Sequence, residues 1–145
     1  MLATTPNQTF PRDWSHDGRF LLYSQQDPKS GIDLFALPMT GTDKTPLPIA
    51  RTSFDESNGQ FSPDDHFVAY ETNESGDSQI VVQPFPQPTG KWQVSLRGGT
   101  QPRWRADGKE LYFIGADGTM MAAPVAIAGP TFTAGTPVQI GRAHV

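Results

Sequence analysis

The chain has 145 residues, with 11 basic against 15 acidic side chains for a formal net charge of -4, 36% apolar residues and no cysteine. That size suits one domain, or part of a larger one, and leaves no room for two cores. The acidic balance gives no field to gather phosphates, which excludes nucleic acid as a partner, and the lack of cysteine excludes disulfides, thiolate zinc clusters and thiol nucleophiles while leaving the compartment open.

No run approaches the roughly 20 consecutive apolar residues of a membrane helix, and Met1-Leu2-Ala3-Thr4 has no charged segment ahead of an apolar one, so no membrane segment is expected. Fourteen glycines and 14 prolines punctuate the chain. The longest stretch free of both, 64–75, carries Phe67-Val68-Ala69-Tyr70, whose β-branched and aromatic character has no 3.6-residue period. The fold class is all-β.

In chain order, the first anchor is Trp14-Ser15-His16-Asp17-Gly18-Arg19, followed by an apolar run, Phe20 to Tyr23. The pattern predicts a tight turn between two strands. The Asp17 side chain accepts amides just after it, and Gly18 takes a positive φ without a Cβ clash. The aromatic before the turn is expected to pack on the strand that leaves it. A third strand over Leu34 to Leu37 and a polar fourth over Thr45 to Arg51 complete the unit, with Pro46 and Pro48 marking the fourth as an edge.

The motif then recurs. Phe61-Ser62-Pro63-Asp64-Asp65-His66 lies 47 residues after the first anchor, and Trp104-Arg105-Ala106-Asp107-Gly108-Lys109 lies 43 after the second. In the second copy Asp65 stands in the glycine position, which an aspartate tolerates better than most residues. The following strands are expected at Phe67 to Tyr70, Ile80 to Val82 and Trp92 to Leu96, then at Leu111 to Ile114, Met120 to Val125 and Phe132 to Gln139. Four strands per repeat of this length make the blade of a β-propeller, and runs apolar on both faces fit blades that stack.

The expected architecture is therefore a partial β-propeller of about three four-stranded antiparallel blades, 1–50, 51–97 and 98–139, open rather than closed. Its two end faces are expected to expose apolar side chains that a further blade would cover. The segment 140–145, Ile140-Gly141-Arg142-Ala143-His144-Val145, matches what an adapter reading frame encodes. It is expected to be a non-native tail on a truncated frame, and Met1 is expected to be internal to a longer gene. The remaining blades of that parent chain are then partners of this one.

Phe61-Ser62-Pro63-Asp64, and Trp14-Ser15 with Asp17-Gly18, resemble the Trp-Ser-Pro-Asp-Gly-Lys turn of the TolB-like, WD40-like (PD40-type) propeller family, from which Arg105 and Ala106 depart. Asp33-Leu34-Phe35, Asp55-Glu56, Pro84-Phe85-Pro86, Gly90-Lys91-Trp92-Gln93-Val94-Ser95 and Pro102-Arg103-Trp104 are similar to the propellers that follow bacterial serine/threonine protein kinase domains. The resemblance implies a sensor or interaction module whose parent carries the kinase chemistry. It also implies a membrane-anchored parent with the propeller outside the cytoplasm. Two other propeller contexts compete with this one: the gating propeller of a prolyl-oligopeptidase-like hydrolase, and a TolB-like envelope scaffold.

No catalytic constellation emerges. Gly-x-Ser-x-Gly is absent, and Ser15 and Ser62 sit in the repeated turns, where hydroxyls bond to backbone. His16 aligns with Pro63 and Ala106, and His66 with Arg19 and Lys109, so both are expected to face solvent. Neither metal-ligand spacing nor a phosphate loop is present, and Ala128 stands where Val125-Ala126-Ile127 would need a nucleotide-binding lysine. No cofactor, metal or catalytic residue is expected.

Trp14, Ser15, Asp17, Gly18, Phe61, Ser62, Asp64, Trp104, Asp107 and Gly108 are thus read as architecture. Recognition of a protein or small ligand is expected at the propeller mouth, where loops between blades gather. Arg51, Asp55, Glu56, Arg97 and Gln101 are placed on that rim, with Arg103 reaching the channel.

Overall fold

A computed structural model describes residues 8–29, 31–87 and 89–142. The stretch Met1 to Thr4 and, of the expected tail, Ala143, His144 and Val145 lie outside the described residues. Among the described residues there is no helix.

The first sheet runs β1 (Thr9–Trp14), β2 (Phe20–Asp27), β3 (Gly31–Pro38) and β4 (Leu47–Ala50), each antiparallel to the next. The second repeats this order with β5 (Glu56–Phe61), β6 (Phe67–Thr72), β7 (Gln79–Pro84) and β8 (Trp92–Gln93). The third has five strands: β9 (Thr100–Trp104), β10 (Glu110–Ile114), β11 (Thr119–Ala128), β12 (Thr131–Ala134) and β13 (Val138–Arg142).

Here the expected fourth strand of the third repeat, Phe132 to Gln139, divides in two. β11 is ten residues long, so its far half pairs with β12 (Ile127 with Phe132) and its near half with β13 (Met121 with Gln139). The position matching β4 and β8 therefore belongs to β13, and Ile140, Gly141 and Arg142 lie in that strand. The extra hairpin has a packing role: Phe132, 1% exposed, closes the core between the second and third sheets against Phe67, Trp92 and Trp104.

The turns follow from their residues. Ser15 donates to Asp17 Oδ1 at 2.7 Å and accepts the Phe20 amide at 2.9 Å, while Asp17 Oδ1 also accepts the Arg19 amide at 3.0 Å. Ser62 and Asp64 reproduce this arrangement on the Phe67 and His66 amides. In the third copy Arg105 replaces the serine and holds Asp107 through an ion pair of 3.2 Å. The left-handed position is filled by Gly18 (φ 75°), Asp65 (φ 62°) and Gly108 (φ 74°).

The sheets stack through faces that are apolar on both sides. Leu22, Leu34, Phe61, Val68, Tyr70 and Val81 form one core between the first and second sheets, and Phe67, Ile80, Val82, Leu111, Phe113 and Ala123 form another between the second and third. The chain thus holds two small cores where its length implied one, because the second sheet separates its two apolar faces. The anchoring aromatics do not simply staple their own hairpins, as the sequence pattern implied. Phe61 is 2% exposed and joins the core beneath the first sheet, and the Trp104 indole donates to the Gln60 carbonyl of the second at 3.1 Å. Trp14, with no described sheet before it, is 52% exposed. Gly59 shows how close the stacking is, because a Cβ there would meet Leu22 at 2.7 Å and Leu34 at 3.1 Å.

Asp65 does more than occupy a glycine position. Its carboxylate accepts the His16 and Asp17 amides at 2.8 and 3.0 Å and contacts His16 Nδ1 at 2.9 Å, so it caps the turn of the neighbouring sheet. Glycine at 65 would relieve a left-handed backbone worth about 1 kcal/mol, whereas removing the carboxylate forfeits charge-assisted bonds worth about 1.5–3 kcal/mol. Asp65→Gly is therefore expected to lower unfolding free energy in urea by about 1 kcal/mol, even though glycine fills this position in both sister turns. Stabilisation by the substitution would refute the capping role.

Candidate functional site

Each sheet begins with the strand that has a partner on one side only, so β1, β5 and β9 carry the free inner edges. Such edges leave amides that need acceptors. Side chains of the preceding sheet supply them: Asp13 Oδ2 accepts the Phe61 amide at 2.8 Å, and Glu71 Oε2 accepts the Gln101 amide at 2.9 Å together with Asn58 Nδ2 at 2.6 Å. Every inner strand also bulges, between Pro11 and Asp13, Ser57 and Gln60, and Thr100 and Arg103. Asn58 (φ 54°) and Gln101 (φ 55°) take the left-handed conformation there.

The bulges set the phase of the next residue. One position before each anchor aromatic stand Asp13, Gln60 and Arg103, three different side chains at one level of three adjacent inner strands. They line a cavity of about 440 Å³ with His16, Phe61, Pro63, Trp104 and Ala106. Asp13 is half-buried, and burial raises its pKa, opposed by the Phe61 and Trp14 amides and by His16. Arg103 is exposed, and among the described residues its side chain bonds its neighbour's carbonyl, Pro102 O, at 2.8 Å. Among the described residues neither Asp13 nor Arg103 makes an ion pair.

The rim residues separate. Glu56 is not on the rim: as the first residue of β5 it points between the sheets and is 1% exposed, taking hydrogen bonds from the Thr52 amide and from the Thr52 and Thr72 hydroxyls. Asp55 is exposed but engaged, its Oδ1 accepting the Ile32 amide of the first sheet at 3.0 Å. Arg51 is 62% exposed and lies 4.0 Å from the buried carboxylate of Asp33. Arg97 lines a second cavity of about 530 Å³ with Leu96, Phe113, Ala116 and Met121, at the opposite end of the sheets from the Ser-x-Asp turns. Gln101 sits on the bulge of β9, and Arg103 lines the cavity of about 440 Å³. His16 is half exposed yet tied to Asp65, while His66 faces solvent.

Asp13 and Gln60 are the wall residues that sequence reasoning left out. Their signal was present, since both occupy the Arg103 phase of the repeat, but neither type is distinctive alone. Among the described residues no group of three or more histidines or carboxylates is placed to hold a metal.

Comparison of the sequence with protein-family models and with curated proteins finds no match. The three-dimensional structure does match. A protein assigned as TolB from Agrobacterium tumefaciens superimposes with a TM-score of 0.71 at 14% identity, over 95% of this chain and 53% of that one. The fold is that of a TolB-like β-propeller. TolB from Acinetobacter baumannii gives 0.63 at 13% identity, over 94% and 34% of the two chains. A protein assigned as a 6-phosphogluconolactonase from Bacteroides uniformis gives 0.57 at 17%, over 91% and 43%. This chain therefore spans about half or less of the propeller proteins it matches, as three blades with inner strands β1, β5 and β9.

Burial is the leading cause that raises the Glu56 pKa, and the nearby Asp33 carboxylate adds to it. A carboxyl that binds its proton more tightly when folded contributes stability that declines as pH rises from its unfolded value, about 4.3, through its folded one. Glu56→Gln keeps an acceptor for Thr72 and removes this titration. The stability difference between wild type and variant, followed by urea unfolding from pH 4 to 7, is expected to move in the variant's favour as pH rises. A difference independent of pH would contradict the assignment.

Proposed function

We propose that the chain is a non-catalytic recognition module, binding a polar ligand on the inner wall of its propeller blades. The observation that carries this reading is the row Asp13, Gln60 and Arg103 on a cavity of about 440 Å³, a size typical of small-molecule sites. An exposed guanidinium and a half-buried carboxylate line the same cavity, neither in an ion pair among the described residues, and this supports a role for both in holding a ligand. The serines that could suggest hydrolysis support the same reading, because Ser15 and Ser62 are 4% and 0% exposed and engaged in turn hydrogen bonds.

The association with a kinase parent is a finer part of the proposal, resting on short residue strings such as Pro84-Phe85-Pro86. A longer reading frame with a kinase domain upstream supports it; one with a Gly-x-Ser-x-Gly domain downstream replaces it with the hydrolase setting.

The site itself is tested by adding a tripeptide library to isotopically labelled protein. The Phe61 amide and the Trp104 indole N–H, both hydrogen-bonded in the cavity wall, are expected to shift first, and Arg103→Glu is expected to abolish the shifts. Perturbation confined to the Arg97 end, or turnover of the peptides, would overturn the reading.

A further inference from the structure

The two charges on the cavity wall carry opposite signs and do not neutralise one another. Asp13 projects from the first blade and Arg103 from the third, with Gln60 of the second between them. Asp13 uses Oδ2 for the Phe61 amide, and an ionised carboxylate retains further lone pairs. Arg103 has donors to spare beyond the one on Pro102 O.

A simple anion seated on Arg103 would lie in the repulsive field of Asp13, and a simple cation on Asp13 would face Arg103. Like-sign juxtaposition of this kind selects against both. A ligand that carries both charges satisfies both walls. The Gln60 side chain offers a donor and an acceptor between them, as a peptide group requires. The Trp104 ring is held by its bond to the Gln60 carbonyl and, with Phe61 and Pro63, supplies apolar surface in the same cavity. Two residues in extended form span about 7 Å, which a cavity of this volume admits.

We infer that the cavity binds a small zwitterion of the dipeptide class, its carboxylate on Arg103 and its ammonium on Asp13. This rests on the recognition reading above and narrows it. Asp13 and Arg103 act as a pair of specificity-determining residues, and His16, whose Nδ1 is occupied by Asp65, contributes to the cavity edge.

The test is calorimetric titration of the whole chain with Ala-Ala, N-acetyl-Ala-Ala and Ala-Ala-amide, with the tripeptide library titration as a companion. Ala-Ala is expected to bind, and blocking either terminus is expected to weaken binding about tenfold or more, the loss of one charge-assisted contact. Arg103→Gln should erase discrimination against the amide, and Asp13→Asn should erase it against the acetylated peptide while keeping an acceptor for the Phe61 amide. Lys44→Gln, on an exposed loop, should change neither. If the blocked peptides bind as tightly as Ala-Ala and still require Arg103, the zwitterion assignment is wrong while recognition at the cavity stands. Library peptides that move the Phe61 and Trp104 signals while Ala-Ala binds nowhere likewise overturn the zwitterion and leave recognition intact. If no probe moves those signals, both the assignment and the reading beneath it fail.

Discussion

Every sheet in this protein is apolar on both faces, and that constraint governs the rest. The second sheet shows it most plainly: Val68, Tyr70 and Val81 pack against the first sheet and Phe67, Ile80 and Val82 against the third, so one neighbour could not bury both faces. Burying a large aliphatic side chain is worth about 1.5–3 kcal/mol, so the sheets stack face to face, and the twist of each turns the stack about its first strands. The inner strands come together as a by-product of core burial. What packing leaves at their edges is taken up by side chains of the adjacent blade and by the residues that the bulges phase.

The same constraint explains why so many acidic groups act in cohesion. Asp13, Asp55, Asp65 and Glu71 each accept a backbone amide from the neighbouring blade. A stack of sheets has amides at its turns and edges that the ladder does not satisfy, and a short carboxylate reaches them with bonds stronger than a neutral acceptor would give. Acidic residues that look like a charged rim in the linear chain are in this way drawn into latches between blades. Glu56 is the extreme case, drawn fully between sheets, where its hydroxyl partners replace water.

The faces not covered by another described blade differ from one another. Leu21 and Leu37 are register partners that close with Met39, and Tyr23 stacks on Phe35 at 5.6 Å, so this apolar set is buried. The expectation that both outer faces expose apolar side chains holds better at β13, where Val138 and Ile140 are 56% and 54% exposed. The two ends of the stack are therefore chemically unequal.

By itself the sequence determined the blade. The Ser-x-Asp turns, the left-handed position at Gly18, Asp65 and Gly108, and the apolar runs after them are local, each set by residues a few positions apart, and three copies in phase made them legible. What only tertiary structure decided is which side chains share a surface. The bulges that bring Asp13, Gln60 and Arg103 to one level, the capture of Trp104 by the Gln60 carbonyl and the withdrawal of Glu56 all depend on how one blade lies against the next. Contacts between residues about 45 positions apart carry no local signature, because the energy that selects them arises only when two sheets meet.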